Sequence, residues 1–287
     1  GSKYKGNYRG VGKCFDGCTG IKNMNEKKIC FIMCSNDDYY VRECYQYLEE
    51  LIIPKGHEVE ISEIRGAHSM AAGYNEGMRK SDAKYKIYLH QDVFIINKNF
   101  LVDMLNIFLT DANIGMIGMV GTPYMIQDGT MWNGIRYGAF YKLQEYVNKK
   151  IIHRFFPLEA GYMEMEAIDG LLMATQYDLP WREEIFKKWD FYDASQSFEF
   201  LRAGYKVVVP GQNPEWYIHD CGAPNLTNYE GERLKFLKEY RDYMEMRQNQ
   251  TWSEYLMHVR ESIKKGFHGT EQEKVKALKR LDDLEDE

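Results

Sequence analysis

Between Lys28 and Leu89 strand-like and helix-like stretches alternate with almost no residues to spare, and this order constrains the fold more than any other feature of the chain. Lys28 to Cys34 (KICFIMC) is a short continuous apolar run, the pattern of a strand buried on both faces. It ends in Ser35-Asn36-Asp37-Asp38, which offers helix N-caps and polar groups at a strand's carboxyl end. A helical stripe follows at Val41, Cys44, Tyr45, Leu48, Leu51 and Ile52, stopped by Pro54. His57 to Ile64 alternates as a second strand, with Val59, Ile61 and Ile64 set against Glu58, Glu60 and Glu63. Ser69 is placed to cap a helix Met70 to Lys80, and Tyr85 to Leu89 is the third strand. A β-α-β-α-β order this tight predicts a parallel sheet with right-handed crossovers.

The alternation continues with a helix from Lys98 to Leu109 and a strand from Ile114 to Val120. From Gly121 to Leu158 it fails: Trp132, Tyr137, Phe140, Tyr141 and Tyr146 are scattered among Gly, Asn and Lys. A segment of that kind reads as a substrate-facing loop or a hairpin insertion. Glu164 to Thr175 reads as one strand carrying Asp169-Gly170. Trp189 to Gly204 reads as a turn and a helix with Ser195 as its cap, and Tyr205 to Val209 as a strand closed by Pro210. Tyr229 to Lys265 is helical in pattern, and Glu271 to Glu287 is a charged helical tail. The expected organisation is an arm over 1–26, an α/β domain over 27–225 and a C-terminal helical extension over 226–287.

The net charge of −6, with both signs interspersed, argues against a nucleic-acid partner. No apolar run approaches the roughly 20 residues of a membrane span, and no secretory apolar region is visible. The chain therefore reads as soluble and cytoplasmic, with peripheral membrane association still compatible. Its six cysteines fit a reduced setting better than a disulfide framework. Cys14-x3-Cys18 could supply two zinc thiolates, but no second pair at a matching spacing follows. Gly1-Ser2 reads as a tag-cleavage scar.

Polar side chains stand at successive strand ends: Cys34 to Asp37, Arg65, His90-Gln91-Asp92, Asp169-Gly170, Tyr192-Asp193 and His219. Ligands collect at such ends in α/β folds. His90-Gln91-Asp92 interrupts an otherwise apolar stretch, where polar groups are costly unless satisfied. A strand-end turn and a ligand site are both consistent with it.

Taken together the blocks resemble glycosyltransferases of the GT-A fold, family 2-like, in the branch typified by a streptomycin-biosynthesis glycosyltransferase domain. Ala71-Ala72-Gly73-Tyr74-Asn75-Glu76-Gly77 followed by Tyr85 to Asp92 is similar to the family's "AAxNxG, strand, DxD" block, with His90 in place of the first aspartate. Asp169-Gly170-Leu171-Leu172-Met173 resembles the strand lining the sugar pocket. Tyr192-Asp193 and the helix to Gly204-Tyr205-Lys206 resemble the "ED, R, GYK" segment, with Tyr192 in place of Glu. His219 stands where a late histidine is expected.

This resemblance implies a nucleotide-diphospho-sugar donor, most often a UDP-sugar, and a glycan, glycolipid or protein acceptor. Asp92 would bind a divalent cation, Mn²⁺ in preference to Mg²⁺, helped by His90 and His219. Asp193 would be the general base of an inverting transfer. Ser35, Asn36 and Arg65 would bind the nucleoside, Ser69 and Asn75 would assist from the helix side, and Asp169 and Gly170 would line the sugar pocket. The two departures, at His90 and Tyr192, leave a second class open: a domain of this fold that binds nucleotide-sugar or glycan without turnover.

Overall fold

The computed structural model describes residues 24–144, 149–156, 158–222 and 225–285. The Cys14/Cys18 pair and nearly all of the expected N-terminal arm lie outside the described residues.

The N-terminal half runs β1 (Asn25–Ser35), α1 (Asp38–Glu49), β2 (Glu58–Arg65), α2 (Met70–Lys80), β3 (Ala83–Leu89), β4 (Val93–Ile95), α3 (Phe100–Thr110), β5 (Ile114–Gly118) and β6 (Val120–Thr122), the expected order except that β4 is an added short strand and the expected strand Ile114 to Val120 is split between β5 and β6. Next come β7 (Tyr137–Gln144), β8 (Lys149–Arg154), β9 (Tyr162–Met165), β10 (Ala167–Ile168), β11 (Leu172–Thr175), α4 (Tyr192–Arg202), β12 (Lys206–Pro210) and β13 (Tyr217–His219). The chain finishes with α5 (Tyr229–Glu239), α6 (Arg241–Met244), α7 (Trp252–Gly266), β14 (Phe267–His268) and α8 (Glu271–Glu285).

Eight strands form the central sheet in the order β14-β9-β12-β5-β11-β3-β1-β2. β2, β1, β3, β5, β12 and β14 point one way, and β11 and β9 run against them. The mainly parallel α/β sheet flanked by helices is thus the architecture read from the alternation. β1 explains why: Ile29 to Met33 are fully buried, each large apolar side chain contributing about 1.5–3 kcal/mol on burial. One face packs on α1 through Val41, Cys44 and Leu48, the other on α2 through Met70, Ala71, Tyr74 and Met78.

A second sheet has the order β10-β6-β7-β13-β4, with β8 pairing on β7; its β4 and β6 follow β3 and β5 of the first sheet directly in the chain. The β7/β8 pair is a hairpin within the irregular segment. The C-terminal helices close the far side: β14 pairs with β9, while Tyr255, Leu256, Val259 and Ile263 of α7 and Ala277 and Leu281 of α8 join the core. Among the described residues no helix is long and apolar enough to cross a membrane.

Three local expectations are corrected. Glu164 to Thr175 is not one strand: the run is broken at Glu166 and again at Asp169-Gly170, and β9 pairs with β12 and β14, β10 with β6, and β11 with β3 and β5. Ser195 is not the cap of α4. It lies inside the helix, its hydroxyl 2.6 Å from that of Tyr240, and Phe191 precedes the helix in a left-handed conformation with no side-chain cap. Ile61 is 39% exposed rather than buried, since β2 is an edge strand of the sheet.

Candidate active site at the strand ends

β1 and β3 are adjacent parallel strands, so their carboxyl ends emerge side by side. Gln91 ties them together: Asn36 N–H and Asp37 N–H donate to its Oε1 at 3.0 and 3.1 Å, and its Nε2 donates to Asn36 Oδ1 at 2.6 Å. Ser35 donates to Glu63 on β2 at 2.5 Å. Above these ends is a cavity of about 410 Å³ lined by Ser35, Asn36, Gly66, His90, Gln91 and Asp92 among others. Arg65 is not among its lining residues. Its half-exposed guanidinium is held by Asp38 at 2.6 Å and Glu63 at 2.7 Å.

The other sheet completes the site. β13 pairs antiparallel with β4, His219 opposite Val93, and Asp220 N–H donates to Asp92 O at 2.9 Å. This register brings His219 Nε2 to 3.6 Å from Asp92 Oδ1, while His90 Nδ1 lies 4.0 Å from the same oxygen. One ligand atom each from His90, Asp92 and His219 fall within 4.8 Å of one another. Asp92 Oδ1 is buried and takes no hydrogen bond. An orphaned buried carboxylate oxygen between two imidazoles fits a divalent cation, and the mixed N/O donor set suits a first-row transition ion.

The charges here are interdependent. Burial acts to raise the Asp92 carboxyl, but His219 and, more weakly, His90 hold it below its ordinary value. Burial acts to lower His219, but Asp92 and Cys221 outweigh it and push the imidazole up to about 10. His90 moves down, chiefly through burial, with Asp92 opposing.

Beside this cluster lies a second cavity of about 260 Å³, whose wall includes Asp169, Tyr192, Asp193 and His219. Asp193 occupies the first turn of α4. Its carboxylate accepts from Gly170 N–H at 2.8 Å and from Ala194 N–H at 2.8 Å. Burial, with the Asp169 charge added, nevertheless raises it to about 7, into the range a general base needs near neutral pH. Asp169 Oδ1 caps the following turn through Leu171 N–H.

Of the residues singled out from sequence, Ser35, Asn36, His90, Asp92, Asp169, Asp193 and His219 line one or both cavities, and Gly170 N–H reaches the Asp193 carboxylate. Ser69 and Asn75 do not line either. Ser69 caps α2 by accepting from Ala72 N–H, and the Asn75 amide grips both the N–H and the C=O of Trp181. Sequence reasoning missed Trp189, Asp190, Asn225, Asn228 and Tyr229, all of which line the cavities. Only the aromatic-acid pair Trp189-Asp190 directly before Tyr192-Asp193 offered a signal.

Comparison with curated proteins gives no match. Among solved structures the chain is similar to residues 1–349 of Staphylococcus aureus TarS in complex with UDP, at 10% identity and TM-score 0.44, covering 88% of this chain and 70% of that one. It is similar also to the mannosyltransferase PcManGT from Pyrobaculum calidifontis in complex with GDP-Man and Mn²⁺, at 10% identity and TM-score 0.46, covering 95% and 79%. The model of the family described as "Glycosyltransferase like family" matches residues 30–240, which spans both cavities and the central sheet except β14 and the first residues of β1. The chain belongs to this glycosyltransferase-like family.

Proposed function

We propose that the protein is a GT-A glycosyltransferase that moves a sugar from a nucleotide-diphospho-sugar, a UDP-sugar first among the candidates, to an acceptor hydroxyl with inversion. What supports the reading is one juxtaposition: the His90-Asp92-His219 cluster and the Asp193 carboxylate lie on adjoining cavities. The transfer region is assigned to 27–225, of the streptomycin-biosynthesis type, and the protein to the cytoplasm.

The larger cavity, at the ends of β1 and β3, takes the nucleotide, with Ser35 and Asn36 at its floor. Among the described residues no lysine or arginine lines either cavity, so the negative charge of a leaving diphosphate needs another counterion. A divalent cation held by Asp92, His90 and His219, with Mn²⁺ preferred, would supply Lewis-acid neutralisation of that charge. Asp193, ionised above about pH 7, accepts the proton of the acceptor hydroxyl as its oxygen attacks the anomeric carbon. Attack from the Asp193 side, opposite the nucleotide, inverts the anomeric centre. Gly170 N–H and the start of α4 keep the Asp193 carboxylate oriented.

Thermal-shift titration with UDP, GDP and their sugars, with and without Mn²⁺, tests this directly, because a ligand that binds the folded state raises the melting temperature. A nucleotide shift that grows with Mn²⁺, together with loss of sugar transfer or donor hydrolysis in Asp92→Ala and Asp193→Ala, is expected. Turnover unchanged in both variants would sink the proposal. Saturable nucleotide binding with no turnover on an acceptor panel would favour the non-catalytic binding domain instead.

A further inference from the structure

The two cavities share three lining residues: His90, Trp189 and Asp190. On the proposed reading, which this inference rests on, one cavity holds the nucleotide and the other receives the acceptor. A sugar in transit must then sit where they meet, with its anomeric carbon open to both. Of the three shared residues, His90 belongs to the metal cluster. Trp189 and Asp190 are consequently the ones that border the sugar.

Asp190 is well suited to read it. Among the described residues its carboxylate makes no hydrogen bond or ion pair, unlike Asp92, Asp169 and Asp193, which are each engaged with a neighbour. The loop that carries it is fixed at both ends. Lys188 O accepts from Met70 N–H at the start of α2, and Phe191 is held at φ 60 with its ring packed on Tyr229 and Phe236 at 4.9 and 5.5 Å. A non-glycine residue in the left-handed region is strained and persists only where its surroundings enforce it. The Asp190 carboxylate is therefore presented to the junction by a rigid turn.

We propose that Asp190 is the residue that selects the donor sugar, accepting hydrogen bonds from hydroxyls of an uncharged hexose and excluding uronic acids and other anionic sugars. A carboxylate is an acceptor only, so its natural partner is a pair of hydroxyl donors. Exclusion follows from the surrounding charge. The smaller cavity carries Asp169, Asp190 and Asp193, with His90 and His219 facing them and no lysine or arginine among its described lining. An anionic sugar placed there meets three carboxylates, whereas His219 is already paired with Asp92 and the cation that its cluster would hold serves the diphosphate.

Isothermal titration of the full chain with Mn²⁺, using UDP, UDP-glucose, UDP-galactose, UDP-glucuronate, GDP and GDP-mannose, tests the assignment. The wild type should bind at least one neutral sugar nucleotide more tightly than the matching diphosphate, and UDP-glucuronate no more tightly than UDP. Asp190→Ala should lose that sugar increment, roughly tenfold in Kd, with affinity for the bare diphosphate unchanged. Asp190→Asn should keep part of it and should accept UDP-glucuronate better than the wild type does. Retention of the full increment in Asp190→Ala, or tighter wild-type binding of UDP-glucuronate than of the neutral sugars, overturns the role of Asp190 while leaving the glycosyltransferase reading intact. Absence of binding by every nucleotide overturns both.

Discussion

Tyr192 and His90 are hydrogen-bonded, the phenol oxygen 2.6 Å from Nε2, so a residue at the start of α4 fixes the imidazole at the end of β3. The other ring nitrogen, Nδ1, is the one that faces Asp92. For Nδ1 to accept a cation, Nε2 must carry the proton and donate it to the phenol oxygen, the arrangement that orients metal-binding histidines.

Tyr192→Phe should therefore weaken Mn²⁺ binding by about tenfold while leaving Asp193 in place. Free Mn²⁺ counted by electron paramagnetic resonance reads this without any turnover. Unchanged affinity would mean that the phenol only fills space beside Tyr74 and Trp181, whose rings it contacts.

Gly170 matters for the same bond. A Cβ built there would overlap the Tyr192 phenol oxygen. Gly170→Ala should displace the ring, costing about 1–3 kcal/mol of stability as overpacked sites do, and should reproduce the Mn²⁺ defect. Denaturant unfolding and the same resonance titration check the two effects separately.

Activity should rise with pH through about 7 as Asp193 loses its proton. The largest cause of its raised value is burial, and the Asp169 charge comes next. Asp169→Asn removes a negative neighbour, so the midpoint of the pH–rate profile should move to lower pH. The same shift bears on stability. A carboxyl raised in the folded state binds more protons folded than unfolded, so between its ordinary value near 4 and about 7 it makes stability fall as pH rises.

Asn75→Ala should act on folding rather than on the site. Its buried amide satisfies the Trp181 N–H at 2.9 Å and adds a second donor to the Trp181 C=O at 2.8 Å; the carbonyl keeps its bond from Glu183 N–H, so the loss leaves one buried backbone N–H unpaired, about 1–3 kcal/mol. Urea unfolding should show the loss, with the nucleotide Kd of the folded fraction unchanged. A selective fall in nucleotide affinity would restore Asn75 to the binding site.

The sequence by itself determined the layering. Apolar runs of strand length such as Ile29 to Met33, separated by helical stripes such as Val41-Cys44-Leu48, can bury themselves only as a parallel sheet between helices. The same local rules placed Ser69 at the start of α2. Local pattern also brought polar residues to strand ends, which is why Asp92, Asp193 and His219 could be singled out.

What only the tertiary structure decided is how those ends face one another. Asp92 and His219 meet through the antiparallel register of β4 and β13, and Gly170 meets Asp193 because β10 and β11 go to different sheets. Such pairings carry no local signal, since each short strand would look alike in any register. For the same reason Asp190 carries little signal in the sequence: an aspartate beside an aromatic residue, near Tyr192-Asp193, gains its meaning only when two cavities are seen to open onto it. His90 in the first position of the motif acquires its orientation only from Tyr192, a partner that folding alone supplies.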